Sequence, residues 1–308
     1  MIHGFRQRTI KLYALKKIGW ILALIVVFFI GDRIGGFVLK KLTEKSQFRY
    51  TRLYTDQAKA DILLLGNSRG LIFYEPYIEE ISNQSTFNLS YNGLPIDLGK
   101  VLVQDYLDLY PAPKTLIIDI TMCDRTNNNL IAGFNPYARY SKRMSQLIRD
   151  SIPTSSYGGA LTHLYRYNSE VFQRALFYIS KSDKDWLNDR EMNQFLIDEI
   201  KNTEPYEIDL QEKLLNELKE TIQAAKAKGV KVHLVINPYF PPFADKITNL
   251  STFKKRIENA TGERVWDYSK IVTDYKAFSD YQHLNKVGAR VLIDQMKVDG
   301  LFGSSLGD

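Results

Sequence analysis

The sequence predicts an α/β protein, a parallel sheet with helices on both faces, mounted on one N-terminal membrane-spanning helix. Three observations predict it. Short aliphatic runs alternate along the chain with longer amphipathic ones, the order that buries strands between helical layers. The run at 115–120 is almost wholly aliphatic, as expected of a strand covered on both faces. Residues 18–30 form an unbroken apolar stretch behind a basic N-terminus containing Arg6, Arg8, Lys11, Lys16 and Lys17.

The apolar stretch decides where the rest of the chain works. Its thirteen residues are short for a membrane span, which needs about 20. Reading on through Gly31 and 34–39 supplies the length but takes in Asp32 and Arg33, and Lys40, Lys41 and Lys45 close the segment. A buried core helix would carry a polar face, which this one lacks. A cleaved signal peptide has an apolar region of similar size, but Gly31-Asp32-Arg33 offers no small-residue cleavage site, which favours a retained signal anchor. Five cations and no acid precede the run, placing the N-terminus in the cytoplasm and everything after about Lys45 outside it. Asp32 and Arg33 are costly in lipid. Either a neighbouring membrane protein relieves them or they lie at headgroup level, where Arg can snorkel.

Charge divides the chain at the same place. Residues 1–45 hold nine Lys/Arg against two acids, a net of +7, whereas the whole chain is +6, which leaves about −1 for 46–308. The excess positive charge belongs to the anchor and is no sign of nucleic-acid binding. Residues 1–45 therefore read as cytoplasmic tail and anchor, and 46–308 as one extracytoplasmic domain large enough for a full core. The single cysteine, Cys123, excludes an intrachain disulfide and a Cys-rich metal site.

The elements follow in order. Residues 60–65 read as a buried strand ending at Gly66, and 71–81 as a helix. Residues 86–89 are a second strand, and Pro95 suits the first turn of a helix with Leu98, Val101, Leu102 and Leu109 near helical spacing. The third strand at 115–120 is followed by about 85 residues without strand pattern, far beyond an ordinary connection. This stretch, at about 121–206, reads as a largely helical insertion beside the strand ends, serving as extra packing or as a lid or polymer-binding wall. A long helix at 208–228 carries Leu210, Leu214, Leu215, Leu218 and Ile222 on one face, with Gly229 at its C-terminal cap. Strand four at 230–236, a helix at 252–260, strand five at 264–268 and a last helix capped by Asn285 and ending at Val298 complete the pattern.

Sites in parallel sheets lie beyond the carboxyl ends of the strands. The first strand ends in Leu65-Gly66-Asn67-Ser68-Arg69-Gly70. Ser68 there is either an ordinary helix cap or a nucleophile at the mouth of the sheet, beside amide groups that stabilise an anion. Near the far end of the chain stands Asp280-Tyr281-Gln282-His283-Leu284-Asn285. A carboxylate three residues before a histidine on a turn can reach its Nδ1–H, fix the tautomer and leave Nε2 free as a base.

Gly66-Asn67-Ser68 after the first strand, paired with Asp280-x-x-His283-Leu284-Asn285 and Gly288, resembles the SGNH (GDSL-like) hydrolase superfamily. The anchored layout is similar to its DltD-like and alginate-acetylation acyltransferases and esterases of cell-surface polymers. The resemblance covers about 60–120 and 207–298. It implies a flavodoxin-like three-layer parallel sheet, with Ser68 as nucleophile, His283 as base and Asp280 as the acid that orients it. The family places a glycine after the second strand, here Gly93, whose N–H with that of Ser68 would face the oxyanion; an ordinary turn before Pro95 is the other reading. The family's Gly-x-Asn-Asp block after the third strand is missing, and Asp119-Ile-Thr121-Met-Cys123-Asp124 stands in its place. Asn92 is the candidate for the absent side-chain donor. No cofactor and no metal is implied.

Other chemistry finds no motif. There is no G-x-S-x-G elbow, Walker A or G-x-G-x-x-G string, and His163 and His233 lack metal-ligand spacing. The loop at 237–242, Asn-Pro-Tyr-Phe-Pro-Pro, either walls the pocket or merely ends the fourth strand. Two functions stand. One is a serine acyltransferase or esterase acting on O-acyl groups, chiefly acetyl, of an extracytoplasmic glycan, with a multispanning MBOAT-like membrane acyltransferase as implied partner. The other is a non-catalytic glycan-binding or assembly subunit.

Overall fold

The computed structural model describes residues 2–187 and 189–303, with side chains of the first helix from Lys16 onward. The flanking cations Arg6, Arg8 and Lys11 lie outside the described side chains. One continuous helix, α1 (Ile2–Glu44), opens the chain. Its part Lys16–Glu44 is long and apolar enough to cross a membrane, and its side chains from 18 to 30 stand exposed. Farther along, the helix is engaged by the domain. Asp32 is buried and accepts the N–H groups of His163 and Leu164 at 2.8 and 2.9 Å. Arg33 donates to Asp32 at 2.6 Å and to the carbonyl of Leu161 at 3.2 Å. The pair that the sequence leaves to a second membrane protein or to the headgroups thus finds hydrogen-bonding partners within its own chain.

A short turn leads to α2 (Arg49–Tyr54) and the sheet. The strands are β1 (Ile62–Leu65), β2 (Thr86–Asn88), β3 (Thr115–Asp119), β4 (Lys231–Ile236) and β5 (Val265–Asp267). All pair in parallel in the order β2-β1-β3-β4-β5, the doubly wound order in which the switch point falls between β1 and β3. Every residue of β1, β2 and β3 is buried, because helices cover both faces. On one side lie α3 (Glu75–Ser82) and the last helix, Lys286–Val298; on the other, α4 (Ile96–Leu109) packs against the long helix Glu212–Ala227. The fold is α/β with a five-stranded parallel sheet and an apolar N-terminal helix.

Between β3 and the long helix the chain forms α5 (Asn128–Gly133), α6 (Lys142–Ser151), α7 (Pro153–Leu161), α8 (Glu170–Phe177) and α9 (Gln194–Asn202). In chain order the long helix is α10, followed by α11 (Pro241–Ala244), α12 (Leu250–Thr261) and the last helix, α13. A two-stranded antiparallel ribbon, β6 (Phe278–Asp280) with β7 (His283–Leu284), precedes α13.

Two helices start later than the periodicity predicts. The helix expected from 71 begins at Glu75, after a 3₁₀ turn at Ser68–Ile72. Pro76 lies in its first turn, where a missing N–H costs nothing, but its ring would clash with the carbonyl of Ile72 if the helix ran through. The long helix begins at Glu212, so Ile208 and Leu210 are buried from an extended approach rather than from the helix face.

The segment after α1 is tied to the domain by a buried charge group. Arg49 pairs with Asp183 at 3.2 Å and donates to the Ser90 carbonyl at 2.7 Å. Glu75 is buried near the same guanidinium, and one of its oxygens has no hydrogen-bond partner. Asp183 takes the hydrogen bonds of Arg49, and burial pushes the Glu75 carboxyl up to about 8 against the pull of the Arg49, Arg52 and Lys184 charges. The folded protein then holds a proton that the unfolded chain releases near 4.5. Stability contributed at this position is present at low pH and is lost as pH rises from about 4.5 toward about 8. Glu75→Gln should flatten that decline and raise the unfolding midpoint above that of the parent at pH 8. Parallel pH–stability curves for the two proteins would show that Glu75 ionises freely.

Candidate active site

The carboxyl edge of β1 is built for close approach. A side chain at Gly66 would come within 2.8 Å of Gly70 Cα, so the backbone can double back into its 3₁₀ turn only with glycine there. Asn67 caps the turn by accepting from the Arg69 N–H at 2.9 Å. Ser68 therefore opens the turn rather than capping it, and its hydroxyl is free to face outward.

It faces His283. Ser68 Oγ lies 2.9 Å from His283 Nε2, across 215 residues of sequence. His283 Nδ1 lies 2.9 and 3.0 Å from the two oxygens of Asp280. Asp280 also accepts the N–H groups of Gln282 at 2.8 Å and His283 at 3.0 Å. Burial opposes ionisation of Asp280, but the hydrogen bonds and charge of His283 and these two N–H groups outweigh it and hold the carboxyl below its ordinary range. An ionised Asp280 can only accept, so Nδ1 carries the proton and Nε2 is left to accept from the serine hydroxyl. Asn285 secures the loop from behind, accepting from Val287 and Gly288 N–H and donating to the Lys276 carbonyl at 2.6 Å.

Ser68 opens on a cavity of about 470 Å³ lined also by Asn67, Gly93, Thr121, Tyr206 and Tyr239. Gly93 has φ +66° and shares this cavity. Asn92 is exposed and lines a neighbouring cavity with Asn127, Asn135 and Arg166 instead. The polar side chains beside Ser68 are Asn67 and Thr121, whose Nδ2 and Oγ1 lie 3.4 Å apart. The expected wall at 237–242 supplies Tyr239, and the approach to α10 supplies Tyr206, Glu207 and Asp209. Tyr206 is held there by its N–H bond to the Lys246 carbonyl at 3.0 Å.

The residue missed by motif reasoning is Arg69. Its buried guanidinium donates to the carbonyls of Gln282, at 3.0 Å, and Asn237, stacks 3.4 Å above the Tyr239 ring and lies 3.8 Å from the Asp119 carboxylate. Asn237 returns two bonds, to the Arg69 carbonyl at 3.1 Å and to Asp119 at 2.8 Å. One side chain thus ties the ends of β1, β3 and β4 to the loop that carries His283. The only signal in the sequence is its place next to Ser68. Arg69→Lys keeps the charge but cannot bridge both carbonyls. It should cut turnover of a soluble ester about 100-fold through misplacement of His283, with KM nearly kept and the melting temperature lowered by the carbonyl left unmet. An equal rise in KM at constant turnover would make Arg69 a pocket residue and not a positioning one.

No family model matches the chain, and no curated protein matches it. Among solved structures, a Bacteroides fragilis NCTC 9343 protein described as a "putative acylhydrolase" is 13% identical, with 78% of this chain and 87% of that chain covered at a TM-score of 0.39. A likeness at that level carries no argument about the activity of this chain.

Proposed function

We propose that the chain is a membrane-anchored serine acyltransferase or carboxylic ester hydrolase of the SGNH type. It acts on small O-acyl groups, chiefly acetyl, of an extracytoplasmic polysaccharide. The observation that carries this reading is the continuous hydrogen-bonded run from Ser68 Oγ through the His283 ring to the Asp280 carboxylate.

In this reading Ser68 Oγ attacks the ester carbonyl while its proton passes to His283 Nε2. Asp280, ionised beside Nδ1–H, stabilises the imidazolium that forms. The tetrahedral oxyanion faces backbone N–H groups of Ser68 and Gly93, with Thr121 and Asn67 nearby. Collapse expels the leaving group, a sugar oxygen in hydrolysis or the donor's own in transfer, which takes the proton from Nε2, and leaves an acyl-serine. Water or a sugar hydroxyl then attacks the acyl-serine, giving its proton to Nε2, and collapse carries the acyl group to that acceptor as Nε2 returns the proton to Ser68 Oγ. The anchor favours transfer: acyl donors are cytoplasmic, and a multispanning MBOAT-like protein is the partner that would hand the group across. The exposed position of Asn92 favours the second reading, a non-catalytic glycan-binding subunit, because it leaves no side-chain amide from that loop at the oxyanion.

A fluorophosphonate probe separates the two, since only an activated serine reacts. Labelling should occur and vanish in Ser68→Ala with the fold intact; an unlabelled parent protein leaves the binding subunit. Asp280→Asn should lower ester turnover about 10⁴-fold, because the amide can stabilise the wrong imidazole tautomer. Comparable rates in the parent and that variant would make Asp280 a turn residue.

A further inference from the structure

Beside α1, away from Ser68, the domain carries a cavity of about 420 Å³ lined by Arg139, Arg149, Arg166 and His163, with Ser145 and Ser156. None of the three guanidinium groups forms an ion pair among the described residues. Arg166 spends its Nε–H on the Gly159 carbonyl at 2.5 Å and lines both this cavity and the one beside Asn92. Asp32, whose charge acts on Arg166 and His163, is already occupied by two backbone N–H groups and Arg33. The uncompensated charge is felt within the cluster: burial and then the Arg33, Arg166 and Arg139 charges hold the His163 ring below its ordinary pKa. A concave, cationic site with hydroxyls, whose arginines form no ion pair among the described residues, has the chemistry of a phosphate receptor.

Its height along α1 narrows the source of that phosphate. Twenty helical residues span about 30 Å, the thickness of a bilayer's hydrocarbon. Counted from Ile18, that length ends near Phe37. His163 packs on Gly36 so closely that a side chain there would come 2.5 Å from its Cβ, and Leu164 lies against Gly35 in the same way. The cavity's histidine is thus level with the end of the apolar run, where lipid phosphates lie. The outer face of α7 at this level is apolar and unpartnered: Tyr157 and Leu161, one turn apart, are 69% and 70% exposed. Tyrosine beside aliphatic side chains suits the zone between acyl chains and headgroups. We infer that this cavity receives the phosphate of an anionic phospholipid, while Tyr157 and Leu161 rest among its acyl chains.

The test uses the full-length chain in neutral maltoside micelles, titrated calorimetrically with dioctanoyl phosphatidylglycerol, dioctanoyl phosphatidylcholine and sn-glycerol 3-phosphate. One phosphatidylglycerol should bind per chain, at least about tenfold more tightly than either of the others. Arg139→Gln with Arg149→Gln should weaken it about tenfold or more, while the Lys/Lys pair stays within about threefold. Both arginines are exposed, so folding should survive; matched melting temperatures check it, and Arg149→Gln alone serves if the double variant melts early. Tyr157→Ser with Leu161→Ser should weaken the lipid and leave glycerol phosphate unchanged. Equal affinity for the two lipids, or full affinity in the Gln variants, overturns the inference. Glycerol phosphate binding as tightly as the lipid also overturns it, in favour of a free phosphate.

Discussion

Everything at the mouth of the sheet depends on holding the end of the chain against its beginning. Ser68 and His283 belong to loops 215 residues apart, and nothing in the sheet itself pairs them, because β6 and β7 form a separate ribbon. The buried guanidinium of Arg69 supplies the joint. It satisfies backbone carbonyls from two loops that would otherwise point into a water-excluded seam, where an unmet carbonyl costs about 1–3 kcal/mol. Asp119 gives it a counter-charge, and burial pushes that carboxyl upward even as Arg69, Thr121 and Asn237 draw it back. The arrangement is cooperative: remove the cation, and a buried carboxylate and two carbonyls all lose a partner.

Much of this architecture was legible from sequence. The five strands fall within two residues of their aliphatic runs, since a strand covered on both faces has almost no freedom of composition. Asn285 was legible as a cap, and the trio Ser68, Asp280 and His283 as candidates, because each combines a chemically able side chain with a turn at a strand end. What escaped was non-local. Arg69 reads like any surface arginine until Gln282, Asn237 and Tyr239 surround it. Thr121 beside Ser68 was hidden because the string after β3 departs from the expected block. Asp32 reads as a cost in lipid, and only the fold reveals that His163 and Leu164, more than 130 residues on, present N–H groups to it. Pro76 was a visible signal of a late helix start and was outweighed by periodicity.

The long connection between β3 and α10 contributes to both the frame and the cavity. Its aromatic side chains knit it to the segment that follows α1: Tyr178 stacks on Phe48, with centroids 5.9 Å apart, and Phe134 meets Tyr50 at 4.6 Å. Asp183, from the same connection, completes the Arg49 pair. A buried pair is a weak source of net stability, but it fixes one arrangement among many that the apolar contacts alone would tolerate. Among the described residues only the ends of the connection, Thr121, Asp124 and Arg125 on one side and residues 206–209 on the other, reach the Ser68 cavity.

The way α1 enters the domain has a mechanical consequence. Ser46, Phe48, Arg49 and Tyr50 are all buried directly after the helix ends, and Asp32 is bonded to the domain a further three turns back. The chain has no swivel between shaft and head. For a protein held in a bilayer by α1, the head then keeps two kinds of freedom, drifting in the plane and spinning about the normal, and loses the wide arc that a flexible tether would sweep. Its cavity works at one fixed altitude above the surface. On the proposed function, reach must therefore come from the polysaccharide: a long, supple one can bend down to such a mouth, whereas a rigid one anchored farther out cannot.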